Sequence, residues 1–356
     1  MKKGTMPKLG MIFGFVLLTL LSTSIVSAQQ TFNTTIYFDY TNYLSKGGPV
    51  TSAAKNNFFA FRRAYFTYEN KINDNLKFRF RYDADNTVNI TSVDFGKAST
   101  KKDDKLRPFI KHLYLEYSGL MPNSSLKIGM TETIQYKIAE DRWGYRSVAK
   151  TLMDGYKDIT GVDVDAPSAD LGVSLTGSLA KYVRYGLMIS NGAGYSHAES
   201  DKYKKIAGHI HLIPVAGLSV VGYMDYEKQD ADNSATTYKL DGYFEMIRNL
   251  IIGAEYFLYK NDKYLTNDEV RYDVSGLSLF GRCILKADVI SLFARFDRYE
   301  PNSKTSDDEM SRVIAGLDWA PVHKSMRLQP NIWIRSYPDS EKKNDVVFNF
   351  TFFLSF

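Results

Sequence analysis

The segment 346–356 reads V-V-F-N-F-T-F-F-L-S-F. Val346, Phe348, Phe350, Phe352, Leu354 and Phe356 share one parity, while Asn349, Thr351 and Ser355 fall on the other. Successive side chains of a strand point to opposite faces, so this stretch is a strand with one continuous apolar face. Exposed to water, such a face is a liability; against lipid it is the required surface. A membrane barrel built from such strands must repeat the same period around a closed sheet, because only closure pairs every backbone group.

The period recurs throughout the chain. In 76–83, Leu76, Phe78, Phe80 and Tyr82 alternate with Lys77, Arg79, Arg81 and Asp83. An Arg or Lys turned toward lipid at the bilayer midplane costs about 2–4 kcal/mol, so the charged parity must face a lumen. Strict alternation fixes that register. The first strand, 32–43, places Phe32, Ile36, Phe38 and Tyr40 outward, and 58–69 places Ala64, Phe66 and Tyr68 there. In 109–117, Leu113, Leu115 and Tyr117 face out while His112, Tyr114 and Glu116 face in. Further strands are expected at 126–131, 171–176, 183–190, 206–213, 218–226, 236–246, 250–259, 270–283, 289–299, 312–319, 326–337 and 346–356, giving sixteen. Both parities of 270–283 are apolar, which leaves the direction of Cys283 open.

The connections alternate in length. Those at 70–75, 119–123, 178–181, 214–217, 247–249, 286–288 and 320–325 are short. Those at 45–57, 86–108, 132–170, 191–203, 227–235, 260–268, 300–310 and 338–344 are longer. Short turns at one end and long loops at the other, with an even strand number, describe an all-β transmembrane antiparallel barrel with periplasmic turns and outer loops. A soluble sandwich gives no reason for this alternation.

Composition agrees. Aromatic residues make up 14% of 356 residues, yet the mean hydropathy is −0.28, as a lipid-facing exterior around a wet interior requires. The single cysteine excludes an intramolecular disulfide. Lys2, Lys3 and Lys8 precede the apolar run 11–21, and Val26-Ser27-Ala28 forms a small-residue cleavage pattern. Residues 1–28 are therefore expected to be a removed signal peptide, with 29–356 the barrel. Removing three lysines and no acids takes the formal net charge from +5 to +2, and nothing points to nucleic acid.

Several motifs carry a family resemblance: Arg62-Arg63-Ala64-Tyr65, Lys77-Phe78-Arg79-Phe80-Arg81-Tyr82-Asp83, Leu113-Tyr114-Leu115-Glu116-Tyr117, Leu126-Lys127-Ile128-Gly129, Asp170-Leu171-Gly172-Val173, Val183-Arg184-Tyr185-Gly186 and Ser190-Asn191-Gly192. In order and spacing they resemble the porin O and P family, the phosphate-selective porins, mainly over 58–226. The terminal strand resembles the last strand of bacterial outer-membrane barrels, whose final aromatic residue the barrel-assembly machinery reads. The resemblance implies a sixteen-stranded, trimeric diffusion channel in the bacterial outer membrane, in contact with membrane lipid and lipopolysaccharide. It departs at 130–133, where Met130-Thr131-Glu132-Thr133 replaces the family's Lys-Thr-Pro-Phe-like segment, so phosphate preference is less firmly implied than the channel.

The loop 132–170 follows the fifth strand, the place of the loop that narrows the lumen in sixteen-stranded porins. Its Glu140, Asp141, Arg142, Trp143, Arg146 and Lys150 are candidate constriction residues, with aromatic side chains for the wall, charges for the solute, and a short helix expected over 147–153. Arg63, Lys77, Arg79, Arg81, His112, Lys127 and Arg184 are candidate lining residues of the wall. Rings of Arg and Lys favour anions, and Asp83, Asp85 and Glu116 blunt that field. The expectation is passive diffusion of small hydrophilic solutes with modest anion preference, phosphate-like anions included. The alternative is a ligand-specific uptake channel for a sugar or other uncharged solute.

An enzyme is not expected. Outer-membrane phospholipases need a His two positions before the Ser of Ser190-Asn191-Gly192, and Met188 stands there. His209 and His211 share a strand face but lack a third ligand, so no metal or other cofactor is implied.

Overall fold

Aromatic and β-branched residues on one parity favour a pleated backbone, and Asn, Asp and Gly close the turns between such segments. The computed structural model describes residues 29–47, 56–85, 89–94, 99–103, 107–338 and 343–356; the expected signal peptide lies outside the described residues. Its strands are β1 (Gln29–Ser45), β2 (Asn57–Lys71), β3 (Leu76–Asp85), β4 (Asn89–Asp94), β5 (Ser99–Asp103), β6 (Arg107–Tyr117), β7 (Ser124–Glu132), β8 (Ala169–Ala180) and β9 (Val183–Ser190). They continue as β10 (Lys205–Val215), β11 (Leu218–Lys228), β12 (Ser234–Phe244), β13 (Leu250–Leu265), β14 (Arg271–Lys286), β15 (Ile290–Glu300), β16 (Met310–Trp319), β17 (Met326–Ser336) and β18 (Asp345–Ser355).

All but β4 and β5 form one closed barrel of sixteen strands, in which β3 lies beside β6 and β18 returns to β1. The sixteen expected strands are these sixteen. The remaining pair, 6 and 5 residues long, makes a separate hairpin inside the connection 86–108, too short to span a bilayer. Tight turns at the short ends use left-handed residues suited to them, Asn123 (φ 54°), Asn249 (φ 65°) and Asp288 (φ 58°).

Leu113, Leu115, Ile128, Ile189, Ile210, Leu240 and Leu279 form part of an exposed apolar exterior. Near the seam, Phe38 of β1 stacks on Phe352 of β18 with centroids 4.5 Å apart. Cys283 pairs with Leu250 and Leu292 on this outer parity, which fixes the direction the alternation left open. A closed sheet leaves no unpaired edge and the exterior matches lipid, so the barrel is an outer-membrane one.

Away from the strand ends, the alternation among the described residues breaks at two places. Tyr37 pairs with Arg63 and Phe38 with Phe61, so Arg62 has no partner in β1. Arg81 pairs with His112 and Tyr82 with Ile110, so Lys111 has none in β3. These are β-bulges, which insert an extra residue and re-aim its side chain. Arg62 and Arg63 both turn inward, as do Lys111 and His112, while Phe59, Phe61 and Ile110 lie exposed outside.

With Cys283 replaced by Ser, single cysteines at Arg62, Arg63 and Lys111 should react with a water-soluble maleimide, and cysteines at Phe61 and Phe78 should not. Strict alternation instead predicts protection at position 62. Labelling of folded barrels in vesicles separates the two patterns.

Candidate functional site

Between β7 and β8 the chain does not leave the barrel. It forms two short helices, α1 (Lys137–Trp143) and α2 (Tyr156–Thr160), and α1 ends on Gly144 in the left-handed conformation (φ 74°) whose N–H donates to the Glu140 carbonyl. The helix expected over 147–153 is not there; that stretch is made of turns, with Val148 N–H and Ala149 N–H both donating to the Tyr145 carbonyl.

The loop is held by an apolar core inside the barrel. Trp143, Tyr145, Val148 and Ala149 pack against Phe280, Phe293 and Ile314. Trp143 is 0% exposed and meets Phe280 and Phe293 edge-on, with centroids 5.5 and 5.9 Å away. Its indole N–H donates to the Ala149 carbonyl at 2.9 Å. Leu152, Met153 and Tyr156 fill a second cluster with Phe257, Tyr259, Val274 and Tyr299, and the Tyr156 hydroxyl donates to the Ser275 carbonyl.

The wall is shaped to receive this. Phe280 stands opposite Gly253, Phe257 opposite Gly276 and Phe293 opposite Gly316. A Cβ on these glycines would lie only 2.2, 2.7 and 2.5 Å from the facing rings. Each phenylalanine therefore leans over a neighbouring glycine, and the three together make a low apolar shelf under the loop.

The opposite wall is basic. Arg62 donates to the Ser147 and Val148 carbonyls of the loop and pairs with Asp39 at 2.6 Å. Arg63 pairs with Asp83 (3.4 Å) and Asp85 (3.0 Å), and Lys111 shares Asp83 at 3.3 Å. Arg79 and Lys127 both reach Glu132 at 2.9 Å. Arg81 differs: its guanidinium donates to Thr67 Oγ1 and lies 5.0 Å from the Tyr65 ring, with no ion pair among the described residues. Lys77 and Arg184 are exposed near the short-turn end.

On the loop, Arg146 pairs with Glu140 (3.1 Å) and Asp154 (3.2 Å), Lys150 with Asp158 (2.9 Å), Arg142 with Glu245 (3.3 Å) and Asp141 with Lys137. Burial raises the Glu140 carboxyl above its ordinary range despite Arg146. Burial would also raise Asp154, but Arg146, Lys150 and Lys111 together hold it lower.

Three of the spaces among the described residues border the loop. An outer one of about 420 Å³ is lined by Arg62, Arg63, Arg146, Lys150, Arg312 and Arg335, among others. An inner one of about 620 Å³ includes Arg81, Lys111, Glu140, Arg146, Arg282 and Arg327. Tyr37 and Arg146 line both, so they stand where the two meet. A third, about 840 Å³, is bordered by Lys127, Arg142, Arg184, His209 and His211.

The structure brings Arg63, Arg81, Glu140, Arg146 and Lys150 around the first two spaces. It withdraws His112, which is 1% exposed with neither ring nitrogen hydrogen-bonded, and it seats Trp143 against the wall, the place expected for the loop's aromatic side chains. His209 Nδ1 lies 3.2 Å from the Ile134 carbonyl, a contact with the loop. Strict alternation misses Arg62 and Lys111, although paired polar residues between apolar ones, F-R-R-A and I-K-H-L, mark a slip of phase. Arg282 is missed because its strand is apolar on both parities.

No protein-family model and no curated protein sequence matches the chain. Solved structures do. An anion-selective porin from Comamonas acidovorans aligns with a TM-score of 0.66 at 10% identity, over 93% of this chain and 100% of that one. The outer-membrane channel DcaP of Acinetobacter baumannii gives 0.64 at 11%, over 94% and 99%. The trimer form of OmpT, an outer-membrane protein of Vibrio cholerae, gives 0.59 at 12%, over 93% and 100%. The shared fold is that of outer-membrane porins.

Replacing Trp143 by Ala should remove about 3–5 kcal/mol of packing from the loop while leaving the barrel closed. Trypsin, which has sites at Lys137, Arg142, Arg146 and Lys150, should then cut the variant well before the parent, with heat-modifiable migration unchanged. Equal resistance would mean that the apolar shelf does not seat the loop.

Proposed function

We propose that this barrel is a passive diffusion channel in which residues 132–170 narrow the lumen and small anions pass somewhat more readily than cations. The observation that carries the preference is local. Most interior cations are matched by acids, but Arg81 of β3 and Arg282 of β14 border the same inner space from nearly opposite walls without an ion pair among the described residues. Arg stays protonated at any working pH, so these two charges persist. Because matched pairs surround them, the preference is modest, and screening beyond about 8 Å at physiological salt weakens it as ionic strength rises.

The anion-selective porin among the structural neighbours supports this reading, as does the motif resemblance to the porin O and P family over 58–226. Phosphate selectivity would need convergent donors for a dehydrated anion, whereas Arg81 and Arg282 stand on nearly opposite walls and the other cations around the inner space, Lys111, Arg146 and Arg327, are matched by their own carboxylates. A homotrimer, with lipopolysaccharide around it, is proposed by analogy with the trimer form of the Vibrio cholerae neighbour. The uncharged-solute alternative is weaker: Tyr37, Tyr65 and Tyr136 border the inner space, but each is buried, leaving little ring face for a sugar.

Arg81→Gln with Arg282→Gln should move the zero-current potential in a potassium chloride gradient toward cation preference. An unchanged potential would place the selective charges elsewhere. At the seam, Phe356 exchanges backbone hydrogen bonds with Thr34 and is the aromatic end through which we propose the assembly machinery acts. Deleting it should lower the amount of folded, heat-modifiable protein while the single-channel conductance of what does fold stays at the parental value.

A further inference from the structure

The short-turn end of the barrel has a surface that the lumen does not explain. Turn tips that dip into water gain nothing from large apolar side chains, yet five consecutive turns along the arc from β8 to β17 expose them: Leu179, Val215, Met246 with Ile247, Leu285 and Val322. Leu179 is 74% and Val322 82% exposed. Four of these turns add a cation within two residues: Lys181, Arg248, Lys286 and Lys324. All four cations are exposed, and none forms an ion pair among the described residues. By contrast, at the β2–β3 turn Lys71 is neutralised by Asp74 at 2.7 Å, and the β6–β7 turn exposes Leu120 and Met121 with no cation.

Apolar tips interleaved with unpaired Lys and Arg fit one environment, the boundary between acyl chains and anionic headgroups. There the apolar groups bury while long basic side chains extend to phosphate. We infer that this arc is a docking surface for anionic phospholipid of the periplasmic leaflet, whose phosphodiesters lie against Lys181, Arg248, Lys286 and Lys324. Trp319, outward at the end of β16 and 43% exposed, sits beside the Val322 turn at the same level, as an interfacial aromatic does. The charge is complementary, since the only carboxylate in these four turns outside the lumen-facing Glu245–Arg142 pair is Asp288, which borders the inner space. A cell-wall polymer would be met by polar tips instead. The inference rests on the barrel and its orientation, not on what the lumen conducts.

Trp319 provides the test. The full barrel is reconstituted in nanodiscs holding equal amounts of phosphatidylglycerol and phosphatidylcholine, with one or the other brominated, and Trp319 quenching is read against a Trp319→Phe background. Brominated phosphatidylglycerol should quench about twofold more than brominated phosphatidylcholine, and rising salt should erase the difference. A variant carrying Lys181→Gln, Arg248→Gln, Lys286→Gln and Lys324→Gln should quench equally with both. Equal quenching in the parent, which needs no variant to fold, overturns the inference. So does a preference that salt or the four substitutions leave intact. Retention of the parent but not the variant by purified cell-wall sacculi, with equal lipid quenching, would assign the surface to the wall instead.

Discussion

Backbone hydrogen bonding in a medium without water governs the whole molecule. A chain crossing lipid with strands must close the sheet, and here β1 and β18 complete the circle with ten paired positions from Thr35↔Ser355 to Ser45↔Val346. Closure with sixteen strands has a further effect: the lumen is too wide for the side chains of the wall to fill. The 133–168 segment occupies that space, and it does so by burying Trp143, Leu152 and Tyr156 as a soluble protein would bury its core. The protein thus has an apolar exterior suited to lipid and an apolar core inside, with open space left between that core and the charged wall.

Charge inside such a barrel is expensive to leave unmatched, which explains why most lumenal cations among the described residues have an acid beside them. Asp83 serves both Arg63 and Lys111, and Asp297 serves both Arg295 and Arg312. Such pairs orient guanidinium groups more than they project a field. On the proposed reading the selective potential comes from exceptions such as Arg81 and Arg282, while the bulges bring Arg62 and Lys111 inward as matched cations without changing the strand count.

How far the sequence could be read depends on the kind of physics involved. Period two is a property of single strands, so the sixteen crossings and the outward parity of Phe78 or Leu115 were visible in the residues alone. The two bulges were only half visible, since Arg62-Arg63 and Lys111-His112 announce a phase slip but not which neighbour absorbs it. Cys283 was ambiguous because its strand faces lipid on one side and the apolar loop on the other, so both parities are greasy for different reasons. Trp143 was expected against the wall and is found there, whereas the burial of His112 was not legible, because it depends on packing across the lumen. The helices at Lys137–Trp143 and Tyr156–Thr160 likewise follow from the shelf made by three Phe–Gly pairs.

The seam between β1 and β18 has a temporal meaning. The Thr35 and Ser355 hydroxyls, 3.2 Å apart, belong to residues separated by 320 positions. Contacts this distant in sequence form late, because the entropy of closing the intervening chain must be met before they return anything. Until the final strand exists, the N-terminal strand presents an open edge with half its hydrogen bonds unmade, a template for wrong pairing. The chain cannot become native progressively as it is made: the barrel closes only when β18 pairs with β1.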